Sequence, residues 1–357
     1  MAKHTLTDLL QMQSLPLEAK IRMTMLRVKG WINEYGKDGV YISFSGGKDS
    51  TVLMDIIRNN MGYDIPAFFV DVPTQYPELK QFALTWQNVE VIKPKKSFMD
   101  VCEEYGFPLI SKEISQTIYE AKLAMSQIEN GKERNYKYGK PFRILQLEGN
   151  VPHTEKGVLT SETSSMFNKA KYSYLLDAPF DISHKCCSIL KKNPIRQKAH
   201  ETDRKGITAQ MADESLLRRQ QWIRNGCNGF NLKEPISNPM SFWTEQDVLA
   251  YIHTYNLPIC SVYGEVVEDF EAEGIMDGQI TFDDFAQDRI FKTTGCKRTG
   301  CMLCGFGCHM STDTRFLQLK ESHPKMYNLL DVVKNNGVTF REAIEWTNEH
   351  GNLNIKL

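Results

Sequence analysis

Apolar residues recur with two different periods along the first third of the chain, and the alternation between those periods outlines a fold. Leu17, Ile21, Thr24, Val28 and Ile32 follow the start signal Ser14-Leu15-Pro16 at helical spacing, and Gly36 lies just past the last turn, so the pattern predicts an amphipathic helix. Gly39 to Phe44 is β-rich and predicts a strand. After two glycines, Val52, Leu53, Ile56 and Ile57 return to helical spacing between Ser50 and Asn59. A second strand is predicted from Ile65 to Val72, then Pro73, Pro77 and a helix from Glu78 to Gln87; a third strand at Val89–Ile92 precedes Pro94. Such alternation implies parallel βαβ units, whose ligands sit at the carboxyl ends of the strands. Ser45 to Ser50 and Asp71 fall there.

From about residue 125 to 171 the periodicity loosens into ENGKERNYKYGKPFR and TEKGVLTSETSSMFNK, which reads as an insertion. Its interleaved Lys132, Arg134, Tyr136, Lys137, Tyr138, Lys140 and Arg143 suit contact with a polyanion, a nucleic-acid acceptor for example, although a solvated polar loop accounts for them as well. Pattern returns with a strand at Lys205–Gln210, a helix from Asp213 to Trp222 and helices after Thr312. The expected organisation is a helical segment over 1–35, an α/β domain over 36–260 and a Cys-rich region with terminal helices over 261–357.

A chain of 357 residues with 41% hydrophobic content buries a substantial core and has the length of about two domains. Its 43 basic and 44 acidic residues nearly cancel, so no global field favours nucleic acid or membrane. The N-terminal stretch lacks a signal-like apolar core and no run nears the ~18 apolar residues of a spanning helix, which predicts a cytoplasmic protein with no membrane partner. In a reducing compartment nine cysteines point to metal or redox chemistry, and six fall in two groups: Cys186 and Cys187, then Cys296, Cys301, Cys304 and Cys308.

The stretch Ser45-Gly46-Gly47-Lys48-Asp49-Ser50 sits at the first strand-to-helix turn. Two glycines let the backbone bring N–H groups close to an anion, and the helix start adds favourable partial charge. Lys48 supplies a full charge and Ser45 and Ser50 supply hydroxyls, so phosphate is the natural guest. The spacing is not that of the longer G-x-x-x-x-G-K-[ST] loop. The string resembles the PP-loop, SGGxDS, of the ATP pyrophosphatase superfamily, in which adenine nucleotides bind a Rossmann-like sheet.

Further segments resemble the phosphoadenosine phosphosulfate (PAPS) reductase branch of that superfamily. Val70-Asp71 with Tyr76-Pro77-Glu78 is similar to a segment whose aspartate lies near the adenosine, which implies that role for Asp71. GFPLISKE at 106–113, GITAQMADESLLR at 206–218 and PISNPMSFWTEQDVLAYIHTYNLPI at 235–259 are similar to other family blocks, so the resemblance spans roughly residues 35 to 310. It implies a substrate-pocket role for Arg218, whose guanidinium fork suits phosphate or sulfate; pairing with Glu214 at i,i+4 is the competing expectation. Trp243 and Tyr251 are expected to pack, and Asp247 to cap a helix.

Cys301-Met302-Leu303-Cys304 lies among glycines at 295, 300, 305 and 307, which allow a backbone to wrap a metal or cluster. Four thiolates suit zinc or an iron–sulfur cluster. Cys186-Cys187 with Lys191 and Pro194 is similar to the Cys-Cys segment of adenosine phosphosulfate (APS) reductases, which pairs with a later C-x-x-C around [4Fe–4S]; Leu190 and Ile195 depart from it. The resemblance implies Cys186, Cys187, Cys301 and Cys304 as ligands, with Cys296 and Cys308 as alternates in a consecutive cluster. Cys102, Cys227 and Cys260 read as buried inert thiols.

The reductases resembled here attack sulfur with a cysteine on a C-terminal tail and tend to lose the loop lysine. This sequence ends EHGNLNIKL and retains Lys48. Both departures favour cleavage of Mg²⁺–ATP to AMP and pyrophosphate, with Lys48 and Arg218 catalytic and a substrate activated for sulfur transfer from a donor protein. Sulfite release from APS or PAPS is the alternative enzyme activity. A redox-sensing, nucleotide-binding subunit is the alternative of another class, and a homo-oligomer or complex subunit is expected in each case.

Overall fold

The computed structural model describes residues 4–132, 135–152, 159–160, 167–270 and 289–357. Arg134 and most of the stretch from 154 to 166 lie outside them. Two compact units interleave along the chain: Met1–Lys93 with Pro194–Gly300, and Pro94–Asn193 with Cys301–Leu357. The linear segments expected at 1–35, 36–260 and 261–357 do not follow this division, because each unit is built from two stretches distant in sequence.

The first unit carries the α/β sheet. Helices α1 (Leu6–Gln13) and α2 (Leu17–Tyr35) precede strand β1 (Val40–Ser43); α3 (Lys48–Asp55), β2 (Ala67–Val70), α4 (Pro77–Ala83) and β3 (Val89–Ile92) follow. The chain returns with β4 (Lys205–Ile207), α5 (Leu216–Asn225), β5 (Asn228–Gly229), β6 (Ile236–Ser237) and α6 (Glu245–Thr254). The sheet order is β3-β2-β1-β4-β6-β5. Its pairs are parallel except β5 with β6. Covered on both faces, β1 and β2 read as continuous apolar runs, and Val40, Tyr41, Ile42, Phe68 and Phe69 are all buried. The chain leaves β1 toward β2 on one side, while β4 pairs on the other, so the turn after β1 is a topological switch point where a ligand crevice opens.

Several boundaries differ from the periodicity. α3 starts at Lys48 because Gly47 takes the extended cap position, and its far end widens into a π-turn at Ile56–Asn60, with Ile56 and Ile57 both buried. The helix expected over 213–222 is broken: a 3₁₀ turn at Ala212–Glu214 ends at extended Ser215, whose hydroxyl caps α5 by accepting from the Arg218 N–H at 3.3 Å. As expected, Trp243 and Tyr251 are fully buried. Asp247 closes a capping box with Thr244 and receives the buried Lys20 ammonium at 2.6 Å.

The second unit is mostly helical. Helix Lys112–Glu129 runs into the start of the expected insertion, and helix Phe142–Leu147 follows. An aromatic core stacks Phe107 on Phe340 at 4.9 Å and sets Phe180 edge-on to Trp346. Gly305–Phe306 pairs in parallel with Leu109–Ile110 and ties the C-x-x-C segment to this core. The terminal helix Phe340–Gly351 has a Thr339–Glu342 capping box. Among the described residues no helix is long and apolar enough to cross a membrane.

Candidate functional site

Ser45 through Ser50 form a compact turn at the carboxyl end of β1. Gly46 has φ +71°, and a Cβ there would meet the Leu79 carbonyl oxygen at 2.8 Å, so the turn requires glycine. The Ser45 hydroxyl accepts from the Gly47 N–H at 3.2 Å and lies 3.0 Å from the Ser50 hydroxyl. Ser50 and Thr51 donate to the Gly47 carbonyl at 2.9 and 3.0 Å. The loop is therefore braced from behind, with the start of α3 facing a cleft.

That cleft has a volume of about 140 Å³. Ser45, Gly47, Lys48 and Asp49 line one side, and Tyr263, Arg298 and Thr299 another. Lys48 is 3% exposed, yet its ammonium reaches Glu245 Oε1 at 3.0 Å, the Lys297 carbonyl at 3.2 Å and Asp49 Oδ1 at 3.7 Å. Burial opposes the lysine charge, but Asp49 and Glu245 outweigh it and hold the amine protonated above the ordinary lysine range. The Asp49 pKa is raised as well, chiefly by burial against the pull of Lys48, which for a carboxyl favours the neutral form. The Tyr263 hydroxyl accepts from the Lys48 N–H at 3.2 Å and sits 2.7 Å from the Thr299 hydroxyl.

The structure brings Ser45, Gly46, Gly47, Lys48, Asp49 and Ser50 together and separates two other sequence candidates from the cleft lining. Asp71, just past the end of β2, accepts from the Lys80 ammonium at 2.6 Å. Arg218 pairs with Glu214 and lines a neighbouring pocket with Gln210, Asn225 and Cys227. Glu245, Tyr263, Arg298 and Thr299 were not singled out for a role at the loop from the sequence. The available signal was the stretch KRTG at 297–300, two cations beside a glycine.

In the second unit the Cys186–Cys187 pair lies near Cys301 and Cys304, close enough for Cys187 and Cys301 to act on the ionisation of both Cys186 and Cys304. The hydrogen bond between Cys186 and Cys187 raises the first thiol and lowers the second, and Lys191, Lys112 and Lys192 add to the lowering at Cys187. Burial pushes Cys304 up to about 11, and the Arg315 guanidinium, anchored on Asp313, donates to the Cys304 carbonyl at 2.8 Å. Cys308 is satisfied locally: its buried thiol donates to the Gly305 carbonyl at 2.7 Å, and burial pushes it up to about 12. Cys296 belongs to the first unit, where its thiol donates to the Tyr76 hydroxyl at 3.8 Å. Among the described residues no three His, Cys, Asp or Glu side chains are already drawn into a metal-holding group. The charges of Cys187, Cys304 and Cys301 are nevertheless felt by Cys186, which puts the two cysteine pairs in one neighbourhood of this unit.

The sequence profile of the phosphoadenosine phosphosulfate reductase domain matches residues 39–113 and 144–305, well over half of the chain. The chain belongs to the phosphoadenosine phosphosulfate reductase domain family. It is accordingly a PP-loop, nucleotide-utilising enzyme of that type. The matched range contains the whole Ser45–Ser50 loop and Cys186, Cys187, Cys301 and Cys304, and stops before Cys308. The unmatched stretch, 114–143, begins earlier than the expected insertion and covers most of helix Lys112–Glu129. A comparison with curated proteins finds no match.

Proposed function

We propose that this reductase-family chain binds Mg²⁺–ATP at the Ser45–Ser50 loop and cleaves it between the α- and β-phosphates to activate a substrate for sulfur transfer. The supporting observation is Lys48: a buried lysine whose ammonium is aimed into the cleft and kept charged by Glu245 and Asp49. Sulfonucleotides lack the β- and γ-phosphates that such a charge would meet. A substrate oxygen attacks the α-phosphorus, the bond to the bridging oxygen breaks, and pyrophosphate leaves with the electron pair. Lys48 and the amides of the loop stabilise the charge that develops on it. Sulfur then displaces AMP from the adenylated substrate.

Cys186, Cys187, Cys301 and Cys304 would hold a [4Fe–4S] cluster, zinc being the alternative guest for the same thiols. When bound, the cluster supplies redox or sulfur-handling chemistry. The lysines near Cys187 favour its thiolate, and the Arg315–Asp313 pair fixes the backbone at Cys304. A second reading, reduction of APS or PAPS to sulfite, draws support from the family match and from the two cysteine pairs. Parallel assays separate them: AMP and pyrophosphate from ATP against sulfite from APS or PAPS with a thiol donor. Activity indifferent to ATP would sink the first.

A further inference from the structure

We propose that Arg298 is the second cation of the nucleotide site and, opposite Lys48, holds the polyphosphate of a nucleoside triphosphate. This rests on the ATP reading above. The segment carrying Arg298 is fixed on both sides. The Gly295 and Cys296 N–H groups donate to the Tyr263 and Val262 carbonyls at 2.8 Å, the Lys297 carbonyl accepts from Lys48, and the Thr299 hydroxyl meets Tyr263. The backbone is thus held over the loop while the guanidinium stays exposed in the cleft lining. Among the described residues Arg298 has no hydrogen bond or ion pair, although its charge is felt by Asp49.

Arg218, the residue the sequence suggested for this task, is committed to Glu214 and lies outside the lining. Charge balance makes the assignment consequential. Asp49, Asp213, Glu214 and Glu245 line the cleft, and Lys48 and Arg298 are the basic side chains among its described lining. A polyanion held there by Lys48 alone would face four carboxylates. A guanidinium also offers the forked, two-point contact that suits phosphate oxygens and that lysine lacks.

The test is equilibrium binding of ATP, inorganic pyrophosphate and AMP, with Mg²⁺ present, to the full chain and to R298A, R298K, R218A and K48A, with thermal melting as a check on folding. R298A should weaken ATP and pyrophosphate roughly ten- to a hundredfold while AMP changes less than about twofold, as expected for loss of a charge-assisted contact to the outer phosphates. R298K should recover part of the loss, and R218A should stay within about threefold of wild type for pyrophosphate. If K48A loses ATP while R298A binds it as wild type does, the assignment of Arg298 fails and the ATP reading survives. If the wild-type chain binds neither ATP nor pyrophosphate, both fall together.

Discussion

Glu245 Oε1 lies 3.0 Å from the Lys48 ammonium, so the cation of the nucleotide loop is already paired with a carboxylate. Any incoming phosphate must compete with that pair. The Glu245 side chain is 39% exposed, which limits the worth of the pair to about 1 kcal/mol or less once solvent screening is counted. E245A should therefore tighten pyrophosphate binding by up to about fivefold, read by calorimetry. Weaker binding would instead make Glu245 part of the binding machinery.

Asp49 gives a pH signature. Burial is the leading cause of its raised pKa, so folding favours the protonated carboxyl. That contribution to stability is fully present below the ordinary aspartate pKa and is lost as pH rises through the raised value. D49N should melt higher than wild type at neutral pH, and the gap should close in acid. A gap independent of pH would contradict this account.

The cysteines make separable predictions. Replacing Cys186, Cys187, Cys301 or Cys304 by alanine should abolish iron and sulfide in anaerobically prepared protein, together with its visible charge-transfer absorption. C296A and C308A should keep both, because these thiols are occupied by the Tyr76 hydroxyl and the Gly305 carbonyl. Zinc in place of iron would leave the ligand set intact and remove the absorption. Full metal content in C187A with loss in C296A would favour the consecutive cluster.

Asn335 tests the second unit. Its buried side chain donates to the Cys102 and Glu103 carbonyls at 2.9 and 3.0 Å and accepts from the Asp181 N–H at 2.7 Å. N335A strands three backbone groups and should cost about 2–4 kcal/mol in denaturant unfolding. A loss below about 0.5 kcal/mol, the range of an unremarkable surface change, would show that water replaces those bonds.

The parts of the site legible in the sequence are those carried by contiguous residues. Ser45 to Ser50 reads as a phosphate loop because a turn and a helix start are local features, and β1 to β3 read as a parallel sheet because short strands alternate with helical spacing along the chain. The Arg218–Glu214 pair was equally legible from its spacing. Glu245, Tyr263 and Arg298 were not, since they join the cleft around Lys48 from about 200 to 250 positions further along the chain, and only tertiary packing brings them there. The interleaving of the units was hidden for the same reason: no composition change marks residues 93, 193 or 300.

The central claim is that this loop takes ATP through Lys48. The most direct test measures the affinity of anaerobically prepared wild-type and K48A protein for ATP, APS and PAPS, with sulfite release assayed alongside. The account predicts that ATP binds wild type, that K48A weakens it at least about tenfold through loss of a charge-assisted contact, and that APS and PAPS yield no sulfite. Sulfite produced from APS or PAPS at the same rate by wild type and K48A would contradict it.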